Sequence, residues 1–444
     1  MHDVVSQLAL VSTLLDDWDG IELRIADEGD TLRAGLAAIG QRLAGARSAD
    51  EIALALDDLL DLVLDTPAEA FVRSLLAQAS PDDAPVRVRS QTGALDEGDA
   101  AHANEAALHD GAALGRSMSI PRDYTIVPVF FATNRTVAAN AGDVGAYGTA
   151  LADASAFGLA QVTIPRSHER GRVEAPRWWT PQAPKADRHI VVASIEPLAE
   201  TAFAARLEGE AASASLDLLV FLHGYNVTFE QAARRAAQIA FDLGFPGIVV
   251  LFSWASAGAW YQYVGDGERA NTSARPFASL LALLSGGPWG NVHLVAHSMG
   301  NRVLTLALAD HRPAAFTPGE AAFVAADVYV PLFRQQLPGL LDAAEGRMTL
   351  YASRGDRALW ASSILHAAER IGHIQGTGPF IARGIETIDA TTVDTSLLGI
   401  RHGYFSDRVT VLDDLGTLLR ERKRAGQRLG LSKPGGYWAF DGSS

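Results

Sequence analysis

Hydrophobic positions change their period along this chain, and each change marks a part of it. Up to about residue 80 they recur at helical spacing. Leu32, Leu36, Ile39 and Leu43 form one stripe, and Ile52, Leu56, Leu59 and Val63 form another. Ser48 with Glu51 makes a capping box before the second stripe. Thr66-Pro67 with Glu69 supplies an N-cap, a first-position proline and a first-turn acid for a further helix. Residues 1–80 are therefore expected to be helical, with stripes that serve as packing surface or dock a protein partner or a second copy. Residues 81–122 are polar, rich in Ala, Asp and Gly, and open on Pro81 and Pro85, which suits a linker or loop. From the strand-like run at 125–131 onward, apolar runs alternate with helical segments. That pattern predicts an α/β domain over 123–444 with a mostly parallel central sheet flanked by helices.

Three of the runs organise this domain. Leu216 to Leu222 leads into His223-Gly-Tyr-Asn226, Ile248 to Trp254 into an aromatic segment, and Val292 to Ala296 into Ser298. Runs with almost no polar interruption suit strands buried on both faces. A helix is expected from Phe229 to Leu243, stopped by Gly244 and Pro246, and another from about Arg275 to Leu284. The stretch between Trp254 and the second helix, with Trp260 and Tyr261, reads equally well as a loop covering a site or as packing. Asp266 and Arg269 within it are expected to pair.

Composition narrows the chemistry. With 52 acidic against 37 basic residues the net charge is −15, so nucleic acid and anionic membranes are poor partners. There is no cysteine, which removes disulfides, thiolate metal sites and a cysteine nucleophile. His293 and His297 share a strand face without a third ligand, so no metal is expected, and no phosphate or dinucleotide fingerprint calls for a cofactor. No apolar run reaches the roughly 20 residues of a membrane span, and the start of the chain lacks a basic, apolar leader. The expectation is a cytoplasmic protein, with the periplasm left open. The run Arg420 to Arg424 reads as a solvated helix end.

Ser298 carries the chemical signal. Ala296-His-Ser-Met-Gly300 follows an apolar strand and precedes a plausible helix, the setting of a nucleophilic serine on a sharp strand-to-helix turn. Alanine stands where the first glycine of G-x-S-x-G would be. Such a serine needs oxyanion donors, and the Met299 N–H with the Tyr225 N–H in the glycine-containing loop after an earlier strand are the candidates. Gly224, which could share that role, and Asn226, His297, Trp260 and Tyr261 are candidates for lining the substrate. His223 precedes the serine and reads as structural. The orienting acid should end a later strand: Asp356 is favoured, with Asp327 as the alternative acid. For the base, His402 in a late turn is favoured over His366 and His373.

The ordered set Phe131-Ala-Thr-Asn-Arg135, Val162-Thr-Ile-Pro165, His223-Gly-Tyr-Asn226, Phe252-Ser-Trp254, Ala296 to Arg302, Tyr351-Ala-Ser353 and Asp356-Arg-Ala-Leu359 resembles a bacterial family of α/β hydrolases of largely unassigned function. The resemblance spans roughly Tyr124 to Leu415. It implies the α/β-hydrolase fold and a serine hydrolase site at Ser298, Asp356 and His402, and supplies no substrate. The expected activity is hydrolysis of a small-molecule carboxylic ester through an acyl-enzyme. Thioester or amide hydrolysis by the same triad, or a non-catalytic scaffold that binds a protein partner, are the alternatives.

Overall fold

The computed structural model describes residues 39, 59, 123–138, 140–175, 183–212, 215–257, 263–344, 347–354, 369–374, 376, 378–393 and 411–440. All but two fall in one compact unit, Thr92–Ala175 with Ala183–Ser444. The other two, Ile39 and Leu59, are buried helical positions in a second unit, as their places in the two N-terminal stripes require. The other expectations for residues 1–122 lie outside the described residues.

In chain order the large unit contains β1 (Tyr124–Val137), β2 (Tyr147–Pro165), β3 (Val191–Leu198), α1 (Glu200–Ala212), β4 (Leu218–Leu222), α2 (Phe229–Asp242), β5 (Ile248–Ser253) and α3 (Tyr263–Leu283). There follow β6 (Val292–His297), α4 (Gly300–Asp310), β7 (Ala321–Val324), α5 (Val330–Ala344), β8 (Met348–Ala352), β9 (Ile385–Asp389), α6 (Val411–Glu421), β10 (Leu431–Ser432) and β11 (Trp438–Phe440). The strands form a single sheet in the order β10-β11-β9-β8-β7-β6-β4-β5-β1-β2-β3. Neighbours from β11 to β1 pair in parallel, while β10, β2 and β3 pair antiparallel at the margins.

The apolar runs have a simple cause. Successive side chains of a strand point to opposite faces, and here each face meets a helical layer. Leu218, Val220 and Leu222 pack in one core with Phe203 of α1, Phe277 of α3, Leu304 of α4 and Phe333 of α5. Leu219 and Phe221 pack in the other, against Phe229 and Ala236 of α2 and Leu415 of α6. No face of β4 meets water, so no polar residue interrupts it.

Helix α2 ends where its sequence says it should. Thr228 and Gln231 form a reciprocal capping box, and Leu243 is the C-cap ahead of Gly244 at φ +54. Helix α3 differs from expectation: it starts at Tyr263, not near Arg275. Pro276 and the glycines at 265 and 267 suggest a break, but Ala270, Ala274, Phe277 and Leu281 keep one continuous buried face across it. The supposed loop of residues 255–270 is thus helical from Tyr263 on. The basic run at the end of α6 is also more than a solvated end. Arg420 donates to Leu243 O at 2.9 Å, Arg422 to Asn291 Oδ1 at 2.8 Å, and Arg424 lies 3.5 Å from Glu386. As the chain leaves the helix these side chains diverge and reach three different elements.

One charged cluster ties the turn after β2 to α2. His168 lies between Glu174, at 2.9 Å, and Asp242, at 2.8 Å, with its side chain almost fully buried. Burial alone would lower its pKa, but the Asp242 and Glu174 carboxylates outweigh that and lift it to about 9. A raised folded-state pKa stabilises the fold fully below the unfolded value near 6.5, and that part is lost as pH rises through about 9. His168→Gln should therefore be less stable than the native chain by roughly 2–3 kcal/mol near pH 6. The gap should narrow steadily toward pH 10, as urea denaturation across that range would report.

Among the described residues, no helix is long and apolar enough to cross a membrane, and no group of side chains is arranged to hold a metal ion.

Candidate active site

Strands β4 and β6 are neighbours, yet the chain leaves them in opposite directions. From β4 it passes through α2, on one face, to β5; from β6 it passes through α4, on the other face, to β7. Connections that diverge in this way open a crevice beyond the carboxyl ends of the two strands, where α/β proteins bind their ligands. His223 and Gly224 leave β4 there, and Ser298 leaves β6.

Ser298 occupies the turn itself. Its φ is +50°, a left-handed conformation that a side chain adopts only when its surroundings impose it. Three things impose it here. The Ser298 N–H donates to Val324 O of β7 at 3.0 Å. The Asn301 amide group donates to the carbonyls of Ala296, Ser298 and Val324 at 3.0–3.1 Å, bridging the strand end, the turn and the neighbouring strand. Helix α4 then starts at Gly300, where a Cβ would come within 2.4 Å of His223 O. Only glycine lets α4 begin so close to the end of β4. Ala296, at the position of the usual first glycine, is fully buried in the core that α4 faces, so its methyl group is accommodated.

The loop after β4 meets the serine directly. A Cβ at Gly224 would lie 3.0 Å from Ser298 Cβ and 3.0 Å from His297 Nδ1. Met299, the N-cap residue of α4, is buried in the core. Its backbone stands at the helix N-terminus, where first-turn N–H groups have no intrahelical acceptor. Tyr225 packs its partly buried ring on the core, which makes the ring a brace for the loop. Asn226 follows at φ +55°, and its N–H is directed to Asp266.

Both histidines beside the serine are neutral. His223 is buried and stacked on Trp254, with ring centroids 5.2 Å apart. Burial, and then the charge of Arg135, push its pKa down to about 3. Nδ1 donates to Gly224 O at 2.7 Å, which leaves Nε2 as acceptor toward Ser253 and Arg135 at 3.4–3.5 Å. Held this way, His223 is structural. His297 is pushed down to about 4 by burial and by Arg235. His293 sits deeper along β6, 3.3 Å from Asp217, away from the strand end; it is a core histidine.

The two acid candidates follow β7 and β8. Asp327 is buried and paired with Arg370, equally buried, at 3.1 Å, while its N–H donates to Ser298 O. Its carboxylate is therefore neutralised by a guanidinium. His373 lies beside Ser353 at the end of β8 and is buried. Asp356, His366, His402, Trp260 and Tyr261 lie outside the described residues.

Arg135, which closes the Phe131-Ala-Thr-Asn-Arg135 motif, has a role here that its sequence does not assign. Its fully buried guanidinium donates to Ser253 Oγ at 3.0 Å, Ser256 O at 3.0 Å, Gly148 O at 3.1 Å and Val227 O at 2.7 Å. Burial lowers its pKa to about 9, so it stays charged at neutral pH. In the sequence it stands four residues past the strand-like run at 125–131, inside a motif of the family resemblance but with no task attached to it.

No curated protein matches the chain. A family model described as an alpha/beta hydrolase of unknown function (DUF900) matches residues 198–422, from the end of β3 past the end of α6. That span holds the loop after β4, the Ser298 turn and the strands that carry them, and the chain belongs to this family of α/β hydrolases of unknown function.

Proposed function

We propose that the protein is a serine hydrolase of carboxylic esters, with Ser298 as nucleophile, His402 as general base and Asp356 as the acid that orients it. The observation that carries this is the left-handed Ser298, held between the end of β6 and the start of α4 with Gly224 against it. A backbone this constrained needs a reason, and presenting Oγ to a substrate at the switch point of the sheet is one. The neutral, locked His223 supports a base from elsewhere. The Asp327–Arg370 pair favours Asp356 as the acid, since a carboxylate already bound to a guanidinium offers little to an imidazolium.

In the proposed reaction His402 takes the Ser298 proton as Oγ attacks the ester carbonyl. The N–H groups of Met299 and Tyr225 receive the developing oxyanion. Collapse expels the alcohol, which takes the proton back from His402, and a water activated by the same base releases the acid from the acyl-enzyme. Gly224 and His297, both against the serine, would border the acyl group.

Hydrolysis of p-nitrophenyl esters of increasing acyl length, beside matched thioesters and anilides, tests the reading; esters should be cleaved fastest. Asp356→Asn should lower kcat by about 10⁴-fold at unchanged stability. Asp327→Asn should instead act on stability, because it removes the carboxylate charge paired with the buried Arg370. The reverse pattern would make Asp327 the acid.

A further inference from the structure

Asp266, in the first turn of α3, is fully buried, and donors from two loops converge on its carboxylate. Ser256 Oγ–H donates at 2.6 Å and the Ala257 N–H at 2.8 Å, both from the loop after β5. The Asn226 N–H, from the loop after β4, approaches at 3.4 Å. Arg269, the partner expected from spacing, is the longest of the four contacts at 3.5 Å. A pair made only to stabilise α3 would favour Arg269; the short bonds instead reach out of the helix.

The chain of contacts continues. Ser256 Oγ also accepts the Val227 N–H at 3.2 Å, and Ser256 O accepts from Arg135 at 3.0 Å. Arg135 closes the circuit by donating to Val227 O at 2.7 Å. Residues 226 and 227 are thus gripped through their backbone by two buried side chains of opposite charge, one on β1 and one on α3. Immediately before them come Tyr225 and Gly224, the latter directly against Ser298.

We propose that Asp266 is a positioning residue for the oxyanion site: through Ser256 and the Asn226 N–H it fixes the Gly224–Tyr225 backbone against Ser298. The inference rests on the serine hydrolase reading above. Oxyanion donors act because they are already in place when charge develops, within a few tenths of an ångström of their final positions. A loop with a left-handed Asn226 does not keep such a position unaided. Four donors around one side chain suit a carboxylate, which accepts on both oxygens and donates nothing.

Asp266→Asn keeps the shape but turns one acceptor into a donor facing other donors. On the best p-nitrophenyl ester, kcat should fall about 10–100-fold while KM changes less than about threefold. Affinity for phenylboronic acid, whose adduct with serine mimics the tetrahedral intermediate, should fall by the same factor as kcat. Ser256→Ala should give a smaller loss with the same split, and it decides the matter if Asp266→Asn does not fold. A purely structural role would leave boronate affinity unchanged in the folded variant. Native-like kcat and boronate affinity, or a change in KM alone, would overturn the proposal while hydrolysis by the unmodified protein stands. If the unmodified protein cleaves no ester, or Ser298→Ala cleaves it equally well, the functional reading fails and this inference with it.

Discussion

Ser298→Ala is expected to cut ester hydrolysis by about 10⁵–10⁶-fold, to a residue set by binding and the oxyanion donors. The size follows from what is removed. In the proposed chemistry Oγ forms the covalent bond to the acyl carbon, and no neighbouring group among the described residues replaces it. His223 and His297 are neutral and adjacent, but the first is locked to Gly224 O and neither would form a stable acyl-enzyme. The fold should tolerate the change. The backbone of residue 298 is held by Val324 O and by the Asn301 amide, and neither contact uses the serine hydroxyl. Stability should stay within about 1 kcal/mol of the native chain, since only an oxygen is lost and alanine meets the same backbone strain. Initial rates on the best p-nitrophenyl ester, with a urea melt of the same sample, check both halves.

The largest effect on stability should come from the far side of the sheet. Arg428, with a fully buried side chain, donates to Asp414 of α6 at 2.7 Å and to Tyr351 Oη of β8 at 3.1 Å. Tyr351 Oη–H also donates to Asp414 at 2.7 Å, and Glu386 of β9 lies 3.4 Å from Arg428. Both charged side chains are buried, and burial raises the Asp414 pKa in spite of Arg428. Arg428→Met keeps the apolar stem but leaves Asp414 with only the tyrosine hydroxyl. Removing one member of a buried pair costs about 3–5 kcal/mol, because the other charge stays desolvated. The double variant Arg428→Met, Asp414→Leu removes both charges and should recover part of that loss. Urea denaturation of the native chain, the two single variants and the double variant measures the cycle; a double-variant loss equal to the sum of the two single losses would show that the charges are not coupled.

Sequence and structure agree best where one local cause decides the outcome. The β4 and β6 runs are legible because burial on both faces removes polar residues, and α2 because its cap and stop signals lie within its own ends. The Ser298 turn is legible for the same reason, since the strand, the small residues and the following helix are contiguous. Agreement weakens where partners are distant. Asp327 looks like a free strand-end acid until Arg370 comes to it across 43 positions of sequence. Arg135 binds carbonyls of loops that share no pattern with it, so nothing local announces its task. The spacing of Asp266 and Arg269 does suggest their pairing, but it conceals the stronger bonds Asp266 makes to Ser256 and Ala257. Pro276 hides the first half of α3 because propensity is local, whereas the buried face that overrides it is not.

Whether Ser298 is a nucleophile can be measured without a known substrate. The native protein is treated with a labelled fluorophosphonate and the adduct is located by peptide mass spectrometry. A nucleophilic Ser298 should carry a single stoichiometric adduct that disappears when the protein is unfolded before labelling. A native, folded protein that carries no adduct at Ser298, or carries it on another serine, would contradict that role.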